Sequence, residues 1–220
     1  MKKLLIITLF LTAISNIHAQ LSVGVVAGAN LTYFKWHIKS LDTDLGYSPA
    51  PGFRAAGTIE WKFNPQFSLR SDIGAQIKSG ALDIESNIGT GTKYGTIQQR
   101  FQYWEGSLLM HFSPFKSFNN FYFCAGLSGQ YLTKAWAVYP DHLVEGDNPE
   151  KQDLDIEAEH YRKNMLSTDF GIGAKFPIAG KSGFKVELRH QYGLSDFSSH
   201  ENVDAHANPF ILQVGYVVGI

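Results

Sequence analysis

The sequence predicts an all-β fold: an eight-stranded antiparallel up-and-down transmembrane β-barrel. Apolar and polar residues alternate with a period of two in eight separate segments, which is typical of strands with one apolar face. The connections between these segments alternate between short and long, as they do in transmembrane barrels. The 220 residues include 21 glycines, 16 phenylalanines and 10 tyrosines, a composition that favours one domain of strands joined by tight turns.

Residues 1–19 are predicted to be a signal peptide that is cleaved during export. Lys2 and Lys3 provide the positive start, residues 4–14 the apolar run, and Ala19 the small residue before the cleavage site. The alternative is an uncleaved membrane anchor, but the apolar run is too short to span a bilayer.

The mature chain, residues 20–220, is predicted to be a single outer-membrane barrel domain. It has no further long apolar run, so if it spans a membrane it must do so with strands. Cys124 is the only cysteine, which excludes an intramolecular disulfide. A barrel can close on hydrogen bonds alone, so export without disulfides is allowed.

Eight alternating segments follow one another along the mature chain. The first four place these residues on their apolar faces: Val23, Val25, Leu31 and Tyr33; Phe53, Ile59 and Trp61; Phe67, Leu69 and Ile73; Trp104, Leu108 and Met110. The last four place there Phe121, Phe123 and Leu127; Leu166, Phe170 and Ile172; Phe184, Val186 and Leu188; Phe210, Leu212, Val214 and Val218. About ten residues suffice for a tilted strand to cross the hydrocarbon layer, so each segment is long enough.

Three short and four long connections separate the eight segments. The short ones are predicted at 64–66, 113–120 and 177–183, and the long ones at 35–50, 79–99, 137–163 and 195–207. Eight strands that begin and end in the periplasm require this order, with the long connections outside the cell. The third long connection is acidic, and residues 151–161 within it are predicted to be loop with a possible local helix.

A soluble lipid carrier with apolar residues in its lumen has the same alternation, so the direction of the apolar face needs further evidence. Three features favour the membrane: the long connections lie on one side only, the last strand stays apolar to the final residue, and aromatic residues cluster near strand ends. Such rings suit the two interfacial girdles. The predicted girdle residues are Tyr33, Phe34, Trp36, Phe53, Trp61, Phe63, Phe67, Phe101, Trp104, Phe112, Phe121, Tyr131, Trp136, Phe176, Phe184 and Phe210.

The opposite, inward faces combine glycines with charges of both signs. These charged residues are Arg54, Glu60, Lys62, Arg70, Asp72, Glu105, Asp169, Lys175, Lys185, Glu187 and Arg189. An eight-stranded barrel is only wide enough inside for side chains, so opposite charges are expected to pair there. We predict that Arg70, Glu105, Glu187 and Arg189 form one buried charge network that blocks ion flow.

Several short motifs resemble the PorT-like outer-membrane β-barrel family, small eight-stranded barrels similar to OmpA and OmpX. The motifs lie at residues 24–31, 52–57, 67–70, 103–105, 121–126, 169–174 and 187–194. The resemblance covers nearly the whole mature chain and implies an outer-membrane location and an inward carboxylate at Glu105. It implies little about activity, because the family's members do different jobs. The chain departs from the family at Ile220, where such barrels usually end in an aromatic residue.

No motif predicts catalysis, a cofactor or a metal site. Residues 198–201 and His190 include serine, histidine and glutamate, but no spacing demands a catalytic triad. His200, Asp204 and His206 match no standard metal-site spacing. We therefore predict a protein without enzymatic activity, cofactor or metal.

Two more polar groups have a functional and a structural interpretation. The acidic third long connection could hold calcium, but a solvated loop beside anionic lipid headgroups is the simpler interpretation. Glu105 and His111 could form a proton relay in the lumen, but interior packing against basic side chains is the ordinary explanation.

The predicted role is that of a porin-like outer-membrane protein of the Gram-negative envelope with a structural, binding or secretion-related task. A lipid-modifying enzyme and a narrow channel remain alternatives. The expected partners are outer-membrane lipids, the barrel assembly machinery and an unidentified extracellular or periplasmic protein. The net charge of −1 gives no basis for nucleic-acid binding.

Overall fold

The computed structural model describes residues 20–85, 93–114, 120–139, 151–158, 160–178 and 180–220. These residues form strands and turns, and none of them belongs to a helix that is long and apolar enough to cross a membrane. The predicted signal peptide, residues 1–19, lies outside the described residues.

The described part of the chain contains ten strands. They are β1 (Gln20–Ile38), β2 (Thr43–Gly46), β3 (Ser48–Lys62), β4 (Phe67–Glu85), β5 (Lys93–Phe112), β6 (Phe121–Val138), β7 (Lys151–Leu154), β8 (Asn164–Pro177), β9 (Ser182–Gly193) and β10 (Val203–Gly219).

Eight of these strands form a closed antiparallel ring, which confirms the predicted barrel. The ring order is β1, β3, β4, β5, β6, β8, β9 and β10, and β10 pairs back onto β1. The closing ladder extends from Ser22 opposite Gly219 to Ile38 opposite Val203. Closure leaves no unpaired strand edge within the bilayer, where an unsatisfied backbone group costs several kcal/mol. The short strands β2 and β7 pair outside the ring, with β1 and β6.

The two faces of the ring have opposite chemistry, as the alternation predicts. Apolar side chains point outward and are exposed to the surroundings, for example Val25 at 63% and Ile73 at 68%. Charged side chains point inward, and Arg54 and Arg70 are at most 1% exposed. Soluble proteins arrange these residue types the other way round. The outer surface is therefore one that a bilayer covers, and the soluble lipid-carrier alternative does not fit.

The strands are longer than the alternation predicted. They reach 20 residues in β5 and 19 in β1 and β4, so much of each predicted long connection belongs to strands. For example, the predicted connection 35–50 contains the end of β1, all of β2 and the start of β3. The hydrophobic alternation stops where a strand leaves the bilayer, while the backbone ladder continues into water. The sequence pattern therefore marks the membrane boundary and not the strand end.

The described residues between 151 and 161 do not form the local helix considered for them. Lys151–Leu154 is a strand that pairs with β6, and the ladder continues to Leu154 opposite Ala135. The backbone then turns at Asp155, whose carboxylate accepts a hydrogen bond from the Glu157 amide at 2.9 Å. Pairing with an existing strand satisfies backbone groups that an isolated helical turn would leave open. Residues 140–150 of the acidic connection, which precede this strand, lie outside the described residues.

The short connections lie at the same end of the barrel as the start of β1 and the end of β10. The Asn64 side chain accepts hydrogen bonds from the amides of Gln66 and Phe67, at 2.8 and 2.9 Å, and closes the β3–β4 turn. Gly180 takes φ of +59° in the β8–β9 turn, a conformation that favours glycine. In transmembrane barrels this short-turn end faces the periplasm, and we name it the periplasmic mouth.

Candidate functional site: a filled lumen

The four charged residues predicted to fill the lumen all lie inside the barrel. Arg70 comes from β4, Glu105 from β5, and Glu187 and Arg189 from β9, and each is at most 3% exposed. The Arg70 guanidinium donates two hydrogen bonds to Glu187, from Nη1 to Oε2 at 2.7 Å and from Nη2 to Oε1 at 2.8 Å. Arg189 Nη2 lies 3.5 Å from Glu105 Oε1. The structure thus arranges the four residues as two ion pairs.

Arg54 and Asp72 connect these two pairs into one network. Arg54 donates from Nε to Glu105 Oε1 at 3.0 Å and from Nη2 to Asp72 Oδ2 at 3.1 Å. Asp72 Oδ1 lies 3.0 Å from Arg70 Nε. The sequence places both connecting residues on inward faces. It does not show that they meet the other four, because contacts across a barrel depend on the stagger of its strands.

Neutral amides donate further hydrogen bonds to two of these carboxylates. Gln213 Nε2 donates to Glu187 Oε1 at 2.6 Å. Gln191 and Gln130 donate to Glu105 Oε2, at 3.0 and 3.1 Å. A buried ion pair is stabilising only when such additional hydrogen bonds offset the desolvation of both charges. We call this array of ion pairs and amides the charged lumen.

The charges that the barrel buries are balanced. Among the described residues, the buried cations and anions number five each: Arg54, Arg70, Lys78, Lys185 and Arg189 against Glu60, Asp72, Glu105, Asp169 and Glu187. Mutual neutralisation lowers the cost of placing so many charges in a narrow space away from water. The charged lumen consequently lacks the excess of one sign that lines selective pores.

A smaller polar cluster lies at the periplasmic mouth around Glu60. Its carboxylate accepts a hydrogen bond from the Ser68 hydroxyl at 2.6 Å and from the Lys175 ammonium. His111 Nδ1 lies 3.6 Å from Glu60 Oε1, and the His111 ring stacks on Tyr122 with 4.5 Å between ring centroids. This cluster marks the boundary between the charged lumen and the periplasm.

The proton relay considered for Glu105 and His111 is not assembled in the structure. Glu105 bonds to Arg54 and Gln130, whereas His111 lies beside Glu60 near the end of β5. Six residues separate the two positions on one strand, which corresponds to about 20 Å at about 3.3 Å per residue.

The opposite end of the barrel is filled by aromatic rings, which we name the aromatic cap. Phe34 and Phe101 come from the strands, and Tyr161 and Phe197 come from the connections before β8 and β10. Phe34 lies 5.5 Å from both Phe101 and Phe197, and Phe101 lies 5.1 Å from Tyr161, between ring centroids. Backbone hydrogen bonds hold the connections in place, including Phe197 N to Ala205 O at 2.9 Å. The cap lies above the charged lumen and covers it.

The cap corrects the predicted aromatic girdles. The sequence predicts Phe34, Trp36, Phe101 and Trp136 at the lipid interface, but Phe34, Phe101 and Trp136 are at most 8% exposed and Trp36 packs against the cap. They lie on the outer parts of strands, where water and not lipid surrounds the barrel, so burying them inside is favourable. For Phe34 the alternation itself indicated burial. It lies an even number of residues from Val26 on β1, so both side chains point inward.

The polar loop residues considered for catalysis or metal binding make ordinary local contacts. Asp204 pairs with Lys39 at 2.8 Å, and the Ser199 hydroxyl donates to the backbone carbonyl of residue 160 at 2.8 Å. His200, Asp204 and His206 are not among the described side chains whose metal-binding atoms converge. Residue His190 lies on the outer face and stacks on Phe210, with 4.2 Å between ring centroids.

A closed ring with an apolar outer band, a charged interior and short turns at one end defines the class of transmembrane β-barrels. The chain belongs to the outer membrane protein beta-barrel domain family, whose pattern it matches over residues 15–199. This membership places the protein in the outer membrane of a Gram-negative bacterium.

Similar solved structures include a major outer membrane protein from Thermus thermophilus, with 16% identity, a TM-score of 0.49, and coverage of 92% of this chain and 99% of that chain. Ail, the attachment invasion locus protein of Yersinia pestis, has 13% identity and a TM-score of 0.41, and covers 90% of this chain and 99% of its own. The outer membrane protease OmpT from Escherichia coli has 9% identity and a TM-score of 0.41, with 91% and 97% covered. No curated protein sequence matches the chain.

Proposed function

We propose that the protein is a non-conducting outer-membrane barrel that serves as a rigid support for a binding surface outside the cell, without catalytic activity. The observation that supports this most is the filling of the barrel at two levels. The charged lumen closes the membrane-embedded part, and the aromatic cap closes the part above it. A barrel of eight strands offers an interior just wide enough for side chains, so little room is left for a water path.

The length of the strands supports a role outside the membrane. The 20 residues of β5 correspond to about 66 Å at about 3.3 Å per residue. At a tilt of about 45° such a strand rises about 47 Å, nearly twice the apolar band of about 25 Å. The excess forms a rim above the bilayer, which the β1–β2 and β6–β7 pairings widen. A rim with a packed apolar interior is stable enough to present a fixed surface to a partner.

Two finer assignments accompany this proposal. We infer that the chain belongs with the PorT-like barrels, on the basis of its strand motifs, and that residues 1–19 direct export and are then removed. The barrel assembly machinery would insert the mature chain. N-terminal sequencing of the protein from isolated outer membranes tests the cleavage, and a first residue of Gln20 is expected.

Conductance in planar bilayers tests the closed lumen. The refolded protein is expected to give no steady single-channel currents above those of protein-free bilayers. The matched variant Phe101→Ala removes a ring from the aromatic cap while leaving the charged lumen intact, so it too is expected to stay silent. Steady currents from the unmutated protein would favour the narrow channel. Currents from Phe101→Ala alone would mean that the cap, and not the charged lumen, closes the barrel.

A further inference from the structure

Three potential metal ligands converge inside the barrel near the periplasmic mouth. They are His111 on β5, Cys124 on β6 and Glu187 on β9, and all three are buried. One ligand atom from each lies within 4.8 Å of the other two. His111 and Cys124 are direct cross-strand neighbours, so the ladder itself fixes their proximity.

The histidine in this cluster lacks the partners that a buried imidazole requires. His111 is 2% exposed, and neither of its ring nitrogens makes a hydrogen bond. Its Nδ1 faces Glu60 Oε1 at 3.6 Å, beyond hydrogen-bond length. A polar group left unsatisfied in a buried site costs about 1–3 kcal/mol, so the arrangement needs an explanation. A bound cation would supply one.

We propose that His111, Cys124 and Glu187 form a binding site for a thiophilic divalent metal ion such as Zn²⁺. Zinc takes thiolate, imidazole and carboxylate ligands together, and three protein ligands with water in a fourth position are common in its sites. Glu60 would hold the Nδ1 side of the imidazole and leave Nε2 for the metal, as carboxylates do in many histidine–zinc sites.

Binding requires two local changes. The Cys124 thiol gives up its proton as the sulfur–metal bond forms, so one proton is released for each ion bound. Glu187 Oε2 accepts a hydrogen bond from the Tyr122 hydroxyl at 2.8 Å, in addition to its bonds to Arg70. The metal would displace the neutral Tyr122 hydroxyl from Glu187 Oε2, while the ion pair between Glu187 and Arg70 stays in place.

An ion would approach this cluster from the periplasmic mouth. A polar depression of about 370 Å³ opens at the periplasmic mouth, and its lining includes Glu60, Ser68 and Lys175. Glu60 lies beside His111 and therefore links the depression to the cluster. The carboxylate would attract the cation at the mouth and then orient its imidazole ligand.

Titration of the refolded, chelator-treated protein with Cd²⁺ tests the site. Cadmium is a thiophilic stand-in for zinc, and a thiolate-to-metal charge-transfer band in the ultraviolet can arise only from Cys124, the single cysteine. We expect the band to saturate at one ion per chain and to disappear when Zn²⁺ competes. Absence of the band from the folded, unmutated protein would overturn the proposal, and this result does not depend on any variant folding.

Three variants with one matched control assign the ligands. Cys124→Ser should abolish the band, and His111→Gln should weaken Cd²⁺ binding at least tenfold. Glu60→Gln should keep the band but weaken binding about 10- to 100-fold, as loss of an orienting carboxylate does. His190→Gln changes a histidine on the outer face and should bind like the unmutated protein. Equal weakening in His190→Gln and His111→Gln would refute His111 as a ligand. None of these outcomes depends on whether the barrel conducts ions.

Discussion

The charged lumen and the aromatic cap fill the same barrel by opposite chemistry. In the lumen, Arg70 and Glu187 are fully buried as an ion pair, whereas in the cap Phe34 and Phe101 pack ring against ring. The difference follows from what surrounds the strands. Lipid covers the outside at the level of the lumen, so apolar residues must face outward and the polar ones are left inside. Water surrounds the cap, so the hydrophobic effect again drives apolar residues inward. The same strands therefore point apolar side chains outward within the membrane and inward above it.

Disrupting the charged lumen should have the largest effect on the free energy of unfolding. Arg70→Ala leaves Glu187 and Asp72 without their shared guanidinium in a desolvated site. Removal of one partner of a buried ion pair costs about 3–5 kcal/mol. The free energy of unfolding, measured by urea titration in lipid vesicles, should fall by that amount. A loss below about 1 kcal/mol, the range of exposed pairs, would show that the lumen is hydrated.

Disrupting the aromatic cap should lower the free energy of unfolding somewhat less than disrupting the charged lumen. Phe101 is 1% exposed and contacts three other rings, so Phe101→Ala opens a cavity. The change should lower the free energy of unfolding by about 3 kcal/mol, the lower end of the range for buried Phe→Ala, because a site near the barrel end can partly collapse. The same urea titration measures it. If the cap were a lipid-facing girdle, the loss would vary with the surrounding lipid, and we expect no such variation.

An arginine introduced on the outer face tests where the strands leave the membrane. Leu188 lies in the middle of β9 and points outward, so Leu188→Arg should destabilise the barrel by about 2–4 kcal/mol, as arginine does near the bilayer midplane. Leu41, in the turn between β1 and β2, is the matched control outside the membrane, and Leu41→Arg should cause no measurable change. Similar losses at both positions would contradict the assigned membrane boundary.

The smallest effect is expected on the rim. Lys39 and Asp204 form an ion pair at 2.8 Å, but both side chains are exposed. Lys39→Ala should leave the free energy of unfolding unchanged within error, because water and salt screen such pairs. Urea titration at low and high salt checks this, and the comparison with Arg70→Ala separates buried from exposed electrostatics in one protein. A loss as large as that of Arg70→Ala would mean that the rim is drier than its exposure indicates.

The sequence predicted the ring of eight strands and the direction of most side chains, because lipid imposes a strict alternation on every spanning strand. It underestimated the strand lengths, since the outer parts of the strands extend beyond the bilayer and carry no such pattern. The residue types of the charged lumen were predicted, but the bridging role of Arg54 was not, because it depends on the stagger between distant strands. Phe197 and Tyr161 were missed for another reason: both come from connections, where no periodicity indicates burial.

The closing ladder between β1 and β10 has a consequence for how the barrel is made. Ser22 pairs with Gly219, so the first strand of the ring meets its partner only when nearly the whole chain has been delivered. Until then β1 is an open edge that can pair with other chains, and the bilayer offers no water to satisfy it. Contacts between residues so far apart in sequence also form slowly. Insertion is therefore expected to be all-or-none, with a chain that lacks β10 left unassembled rather than partly inserted.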